Sequence, residues 1–157
     1  MRSAHPIKKS FYLNDDVNKV AKMLLGKRLV TNFGSITSGI IVETEAYKGQ
    51  NDKASHAYNM KRTRRTSPMF FDGGISYIYL CYGIHNLFNV VTNKQNFPDA
   101  VLVRAIEPQE GIEVMLKRRK LSKLGYNLTS GPGILSKALG ITTQSSRKEL
   151  AKKTISG

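Results

Sequence analysis

The run Gly39 to Tyr47, GIIVETEAY, constrains this chain more than any other stretch. An apolar strand core passes, with no turn signal, into a pair of glutamates and a tyrosine. In an extended backbone successive side chains alternate between faces. Ile41, Glu43, Glu45 and Tyr47 are therefore expected on one side, and Ile40, Val42, Thr44 and Ala46 on the other. Burying an unpartnered carboxylate raises its pKa and costs free energy. Two readings follow. Either the strand ends near Val42 and the glutamates are solvated, as Glu usually is, or the sheet holds them for a purpose.

The charge balance narrows the partners. In 157 residues, 25 Lys and Arg stand against 11 Asp and Glu, a formal net charge of +14. Such an excess favours polyanions, either nucleic acid or an anionic membrane surface. The single cysteine, Cys81, excludes an internal disulfide and a multi-thiolate zinc site. His5, His56 and His85 have no metal-ligand spacing, so no metal is expected. No apolar run approaches the roughly 18 residues of a membrane span, and MRSAHPIKKS lacks the apolar core of a signal peptide. These features suit a reducing, intracellular compartment. No repeat or linker divides the chain, which is expected to form one domain over 1–157.

Local patterns supply the elements. Asn14, Asp15 and Asp16 offer an N-cap to a helix carrying Val17, Val20, Ala21, Leu24 and Leu25, closed by Gly26. Arg28 to Asn32 and the GIIVETEAY strand, joined through Phe33-Gly34-Ser35, read as a hairpin. Residues 48–67 form a long patternless loop, of the kind that tends to be functional or mobile. It holds His56, Tyr58 and the basic run Lys61, Arg62, Arg64, Arg65, which reads equally as a solvated face or a phosphate-contact segment. After Asp72-Gly73-Gly74 comes ISYIYLCY, and Tyr82-Gly83 reads as a hairpin tip before a return through Asn86 to Thr92. An aromatic at such a tip suits a wedge entering a base stack, or else packs under a neighbouring loop. AVLVRA, residues 100–105, is a buried strand whose Arg104 needs an anionic partner, with Glu45 the candidate. Glu107-Pro108 is expected to start a helix running to about Lys120, with Ile112, Met115 and Leu116 inward. Ser130-Gly131-Pro132 starts another helix that stops at Gly140, its first turn open to a plain cap or a phosphate. The polar tail suggests a short helix from Ser146. Short strands that do not alternate strictly with helices argue against a doubly wound parallel sheet.

VETEAY, a histidine nine residues on, MFFDGG, YIYLCYG, an asparagine, VLVRAIEP and SGP, in this order over about Phe11 to Ile141, resemble the alkyladenine (3-methyladenine) DNA glycosylases of the human-type fold. The resemblance implies a single α+β domain. Its core would be a curved, barrel-like antiparallel sheet with peripheral helices and a protruding hairpin. It implies flipping of alkylated or deaminated purines (3-methyladenine, hypoxanthine or ethenoadenine) from double-stranded DNA, because the target bond is inaccessible inside the stack. Hydrolysis of the N-glycosidic bond then leaves an abasic site, without cofactor or covalent intermediate.

Matched position by position, Glu45 corresponds to the general base that activates water, and Arg104 to the arginine that helps place that water and a nearby phosphate. Tyr47, His56 and Tyr79 correspond to walls of the base pocket. Tyrosine rings there would favour a cationic alkylated purine. Asn89 corresponds to the asparagine that clashes with the amino group of guanine, and Tyr82 to the residue filling the gap left by the flipped nucleotide. Arg62, Arg64, Arg65, Ser130 and Gly131 are candidate phosphate contacts. The expected protein is a monomer of the bacterial cytoplasm or nucleoid, not of a membrane. The family usually carries a further C-terminal segment, so the alternative is a truncated, catalytically weak lesion-binding module of the same fold.

Overall fold

A computed structural model describes residues 5–151 and 155–156. Helix α1 (Lys9–Tyr12) is a single turn and α2 (Val17–Leu24) is the amphipathic helix read from the sequence. Asp16 caps α2, its carboxylate accepting the Lys19 N–H at 3.1 Å. Strands β1 (Arg28–Asn32) and β2 (Ile36–Lys48) form the expected hairpin around Gly34. Next come β3 (Ser76–Cys81), β4 (His85–Thr92) and β5 (Asp99–Glu110). Helices α3 (Ile112–Arg119) and α4 (Pro132–Leu139) follow, and β6 is Ile155–Ser156.

The sheet order is β3-β4-β5-β2-β1-β6. The first five strands are antiparallel, and β6 lies parallel to β1. The α+β class holds, but the sheet is open and does not close into the expected barrel. Its β3 edge is instead occupied by residues 147–150. Arg147 N–H donates to the Ser76 carbonyl at 2.8 Å, Ser76 N–H to Lys148 at 2.9 Å, and Leu150 N–H to Gly74 at 2.8 Å. This irregular pairing, with a left-handed Arg147 and one bridge between Ile75 and Glu149, stands where a short helix from Ser146 was expected. Covering an edge in this way satisfies backbone groups that would otherwise seek another strand.

The two faces of the sheet are covered differently. One face, with Ile41, Ile78, Phe88, Val90, Val101 and Val103, packs against Val17, Val20 and Leu24 of α2, Met115 of α3 and Leu135 and Leu139 of α4. Arg118 donates to the Ala138 carbonyl at 3.0 Å, and Thr31 donates to the Leu139 carbonyl at 2.7 Å, fixing the C-terminal end of α4 to the β1–β2 hairpin. The other face, bearing Tyr77, Val91 and Ala100, is roofed by the loop rather than by helices, through Ala57, Met69 and Phe70. The patternless loop is thus ordered. Thr63 and Thr66 exchange backbone-to-hydroxyl hydrogen bonds at 2.8 and 3.1 Å, and 3-10 turns form at Tyr58–Met60 and Ser67–Phe70.

Two expectations fail at irregular pairings. Ile41 pairs with Ile106 and Glu43 with Ala105, leaving Val42 over; Thr44 then pairs with Val103, leaving Arg104 over. A bulge inserts one residue and turns the side-chain phase. Ile41 therefore joins the helix-side core, with Thr44 and Ala46, while Glu43, Glu45 and Tyr47 look to the opposite face. The helix expected from Pro108 begins later, because β5 runs on to Glu110 and Pro108 pairs with Gly39 at another register shift. Proline is tolerated in a strand where the ladder is already broken. Gly111, at φ +76°, makes the corner into α3.

Gly111 and Gly34 (φ +90°) are both left-handed, but a Cβ at Gly34 would meet open space whereas one at Gly111 would strike the Ile36 carbonyl. Gly34→Ala should cost about 1 kcal/mol of backbone strain. Gly111→Ala should cost more, about 2–4 kcal/mol, and thermal denaturation should show the larger fall in Tm for Gly111→Ala.

Candidate active site

The loop-covered face gathers the polar residues read from the sequence. Register places Glu45 beside Leu102, Leu102 beside Asn89, and Asn89 beside Tyr77 in one row across four strands. Strand spacing puts Glu45 about 10 Å from Asn89 along that row. The next row is Tyr47, Ala100 and Val91. Both rows meet under the loop in a small cleft lined by Tyr47, Ser55, His56, Met69, Tyr77, Tyr79, Asn89 and Ala100.

Glu45 stands at the edge of this cleft with both oxygens engaged. Tyr47 donates its hydroxyl to Oε1 at 2.7 Å and Arg104 donates from Nη1 to Oε2 at 2.8 Å. Arg104 also donates from Nε to Glu43 Oε1 at 3.0 Å. The partner sought for Arg104 is therefore two carboxylates, and Glu43 gains a role as its second anchor. The guanidinium pKa is raised, first by the hydrogen bond to Glu43 and then by the charge of Glu45. Tyr47 is raised by burial and by its bond to Glu45, so it remains a donor. The bulges at Val42 and Arg104 let these side chains leave the core, and Glu45 and Arg104 remain 42% and 37% exposed. They are open enough for water to reach the carboxylate.

The cleft walls are fixed by their own contacts. His56 meets Tyr79 edge-on at 4.1 Å between centroids, and its Nδ1 is 3.4 Å from the Tyr77 hydroxyl. Burial, then the nearby Arg65 charge, lower the His56 pKa. Burial pushes Tyr77 up to about 12. Asn89 is buried, and its amide donates to the Tyr77 and Leu87 carbonyls, both at 3.3 Å. Behind the cleft, buried Asp99 accepts from Asn93 at 3.0 Å and from the Gly49 N–H at 3.2 Å, holding the end of β2.

Tyr82 lies outside the cleft, at the tip of the β3–β4 hairpin, 92% exposed. Tyr82 (φ 51°) and Gly83 (φ 71°) are successive left-handed residues, closed by Ile84 N–H to the Cys81 carbonyl at 3.1 Å, as a type I′ turn requires. Ile84 is exposed too. The alternative of a tyrosine packed beneath a loop is thereby removed.

The arginines of the basic run are all exposed and make different contacts. Arg62 lies over the Phe70 ring at 4.6 Å, Arg65 over Tyr79 at 5.2 Å, and Arg64 is exposed. Ser130 is exposed and bridges Ala105, while the Gly131 N–H is spent on the Arg104 carbonyl at 2.9 Å. Sequence reasoning missed Tyr77, although alternation in ISYIYLCY already sets it on the face of Tyr79. It also missed the placing of Arg65 at the cleft, for which a loop offers no periodic signal. Among the described residues, no helix is long and apolar enough to cross a membrane.

Comparison with known proteins agrees with this arrangement. The family model described as methylpurine-DNA glycosylase (MPG) matches residues 10–156. A Chlamydia felis protein bearing the name 3-methyladenine DNA glycosylase is 54% identical over 148 residues, covering 93% of this chain and 76% of its own length. A Bacillus cereus protein of the same name is 48% identical over 152 residues, covering 93% and 74%. With a match this long and an anchored glutamate beside an aromatic cleft, the chain belongs to the methylpurine-DNA glycosylase family.

Proposed function

We propose that this chain removes alkylated and deaminated purines from double-stranded DNA by hydrolysis at the anomeric carbon, with Glu45 as general base. The observation that carries this reading is the position of Glu45, anchored once at each oxygen and bonded through Tyr47 to the edge of a small aromatic cleft. A carboxylate oxygen accepts more than one hydrogen bond, so each retains capacity for a water. In the reaction water forms a bond from its oxygen to the anomeric carbon, Glu45 takes the proton, and the purine departs with the electron pair of the C–N bond. The negative carboxylate also stabilises the positive charge that develops on the sugar. Arg104 holds the carboxylate in place and offers its exposed edge to a phosphate.

A base in duplex DNA must leave the stack to reach the cleft. Tyr82, rigidly presented at the hairpin tip, fills the gap. Tyr47, His56, Tyr77 and Tyr79 would enclose the flipped purine. Because both amide protons of Asn89 are held by backbone carbonyls, it cannot swing aside for a 2-amino group, which supports the exclusion of guanine. The net charge of +14 suits a duplex partner.

Glu45→Gln should lower single-turnover base release by about 100- to 10,000-fold while preserving lesion binding. Undiminished release would remove the general base, and lesion binding without release by the unaltered chain would favour the weak lesion-binding module. Tyr82→Ala should weaken binding to a lesion in duplex by roughly tenfold but leave binding to the same lesion in a single strand; equal losses on both would contradict the wedge. His56 should titrate by NMR below its ordinary 6.5. A depressed folded-state pKa means that its contribution to stability is complete above 6.5 and is lost as pH falls through the folded value.

A further inference from the structure

We infer that Arg65 sets lesion preference in this chain, favouring neutral purines over cationic alkylated ones. The inference rests on the glycosylase reading and deepens it. Arg65 belongs to the loop that roofs the cleft, and its exposed side chain lies back over a cleft-wall ring. It stacks over Tyr79 with Cζ 5.2 Å from the ring centroid, and Nη2 reaches the Leu80 carbonyl at 3.4 Å. Tyr79 in turn lies against His56, and both line the cleft. A fixed positive charge therefore stands at the wall opposite the β2 strand that carries Glu45.

This charge acts on the two lesion classes in opposite directions. A cationic purine draws binding energy from aromatic faces, but one face of Tyr79 is already occupied by a guanidinium, and like charges repel. Such a base leaves as a neutral molecule and needs little help. A neutral purine leaves with the electron pair of the C–N bond and carries negative charge until solvent protonates it. A cation fixed beside the departing base stabilises that charge as it develops. Glu45 offsets Arg65 poorly, since its two oxygens are already bonded to Tyr47 and Arg104. The same positive field reaches His56 and disfavours its protonation, so the histidine does not duplicate the cation. Arg65 is solvent-exposed in the free protein, which keeps the effect moderate until DNA covers the cleft.

The test is single-turnover release from duplexes carrying one hypoxanthine or one 3-methyladenine, a cationic base without a 2-amino group, comparing the unaltered chain with Arg65→Gln and Arg65→Lys. Release of hypoxanthine by Arg65→Gln should fall about tenfold, which is 1.4 kcal/mol of barrier, while 3-methyladenine release stays within about twofold or rises. Arg65→Lys, which keeps the charge without the planar fork, should give an intermediate ratio. An equal loss on both bases would make Arg65 a phosphate contact or a structural residue and overturn the inference, as would an unchanged ratio. Failure of the unaltered chain to release either base would sink the glycosylase reading itself, and the role of Arg65 with it. The ratio is read within one protein, so a fall in folded fraction does not move it.

Discussion

The arginine shared between Glu43 and Glu45 is the interaction on which the site depends. Its value is not as a stabiliser of the fold. The three side chains are between a third and two-thirds exposed, and ion pairs so open to solvent contribute only about 0–1 kcal/mol. What the arrangement supplies is direction. A lone glutamate on a strand samples several rotamers, whereas Glu45 is held from one side by a guanidinium and from the other by a phenol. The carboxylate thus keeps one orientation in both the resting and the reacting states, which is what preorganised catalysis requires.

That interaction exists because the ladder between β2 and β5 is imperfect. In a regular antiparallel pair, Ile41 and Glu43 would occupy the same face, and the strand could not feed a helix-side core and an open cleft in succession. The irregular pairing at Val42 and Arg104 resolves the conflict. Ile41 before it serves the packing against α2, and Glu43, Glu45 and Tyr47 after it face the cleft side. Of the two readings of GIIVETEAY, the strand runs on to Lys48 and does not end near Val42, while the glutamates keep contact with water and are also bonded to Arg104.

The same point explains how much the sequence discloses. Elements governed by neighbours a few residues apart were legible: the Asp16 cap, the Gly34 hairpin, the Tyr82-Gly83 tip and the Gly140 stop. Glu45, Tyr47, His56, Tyr79 and Asn89 were singled out through a family resemblance that depends on order and spacing; the fold brings the last four to one cleft, with Glu45 bonded to Tyr47 at its edge. Pro108 was misread because its tolerance in β5 depends on Gly39, far away in the chain. The run after Ser146 was misread because the edge of β3 recruits it, and no local propensity encodes that edge. Tyr77 needed only the alternation of its own strand. The position of Arg65 needed the folded loop.

The segment at 147–150 has a mechanical consequence. It binds the start of β3, from Gly74 to Ser76, and Ser146 adds a bond from its hydroxyl oxygen to the Ile78 N–H. Farther out, that edge receives a longer bond, from Arg65 to the Leu80 carbonyl at 3.4 Å. The hairpin is thus a cantilever, clamped at its root and free at its tip. A load applied to Tyr82 would be transmitted to the clamp as torque. Stiffness at the tip is then set far away in the chain, by the segment that follows Ser146. A proteolytic cut between Ser146 and Leu150 would make the tip compliant and would also loosen the loop over the cleft, because Arg147 donates to the Ser67 hydroxyl at 2.8 Å and lies over the Phe71 ring.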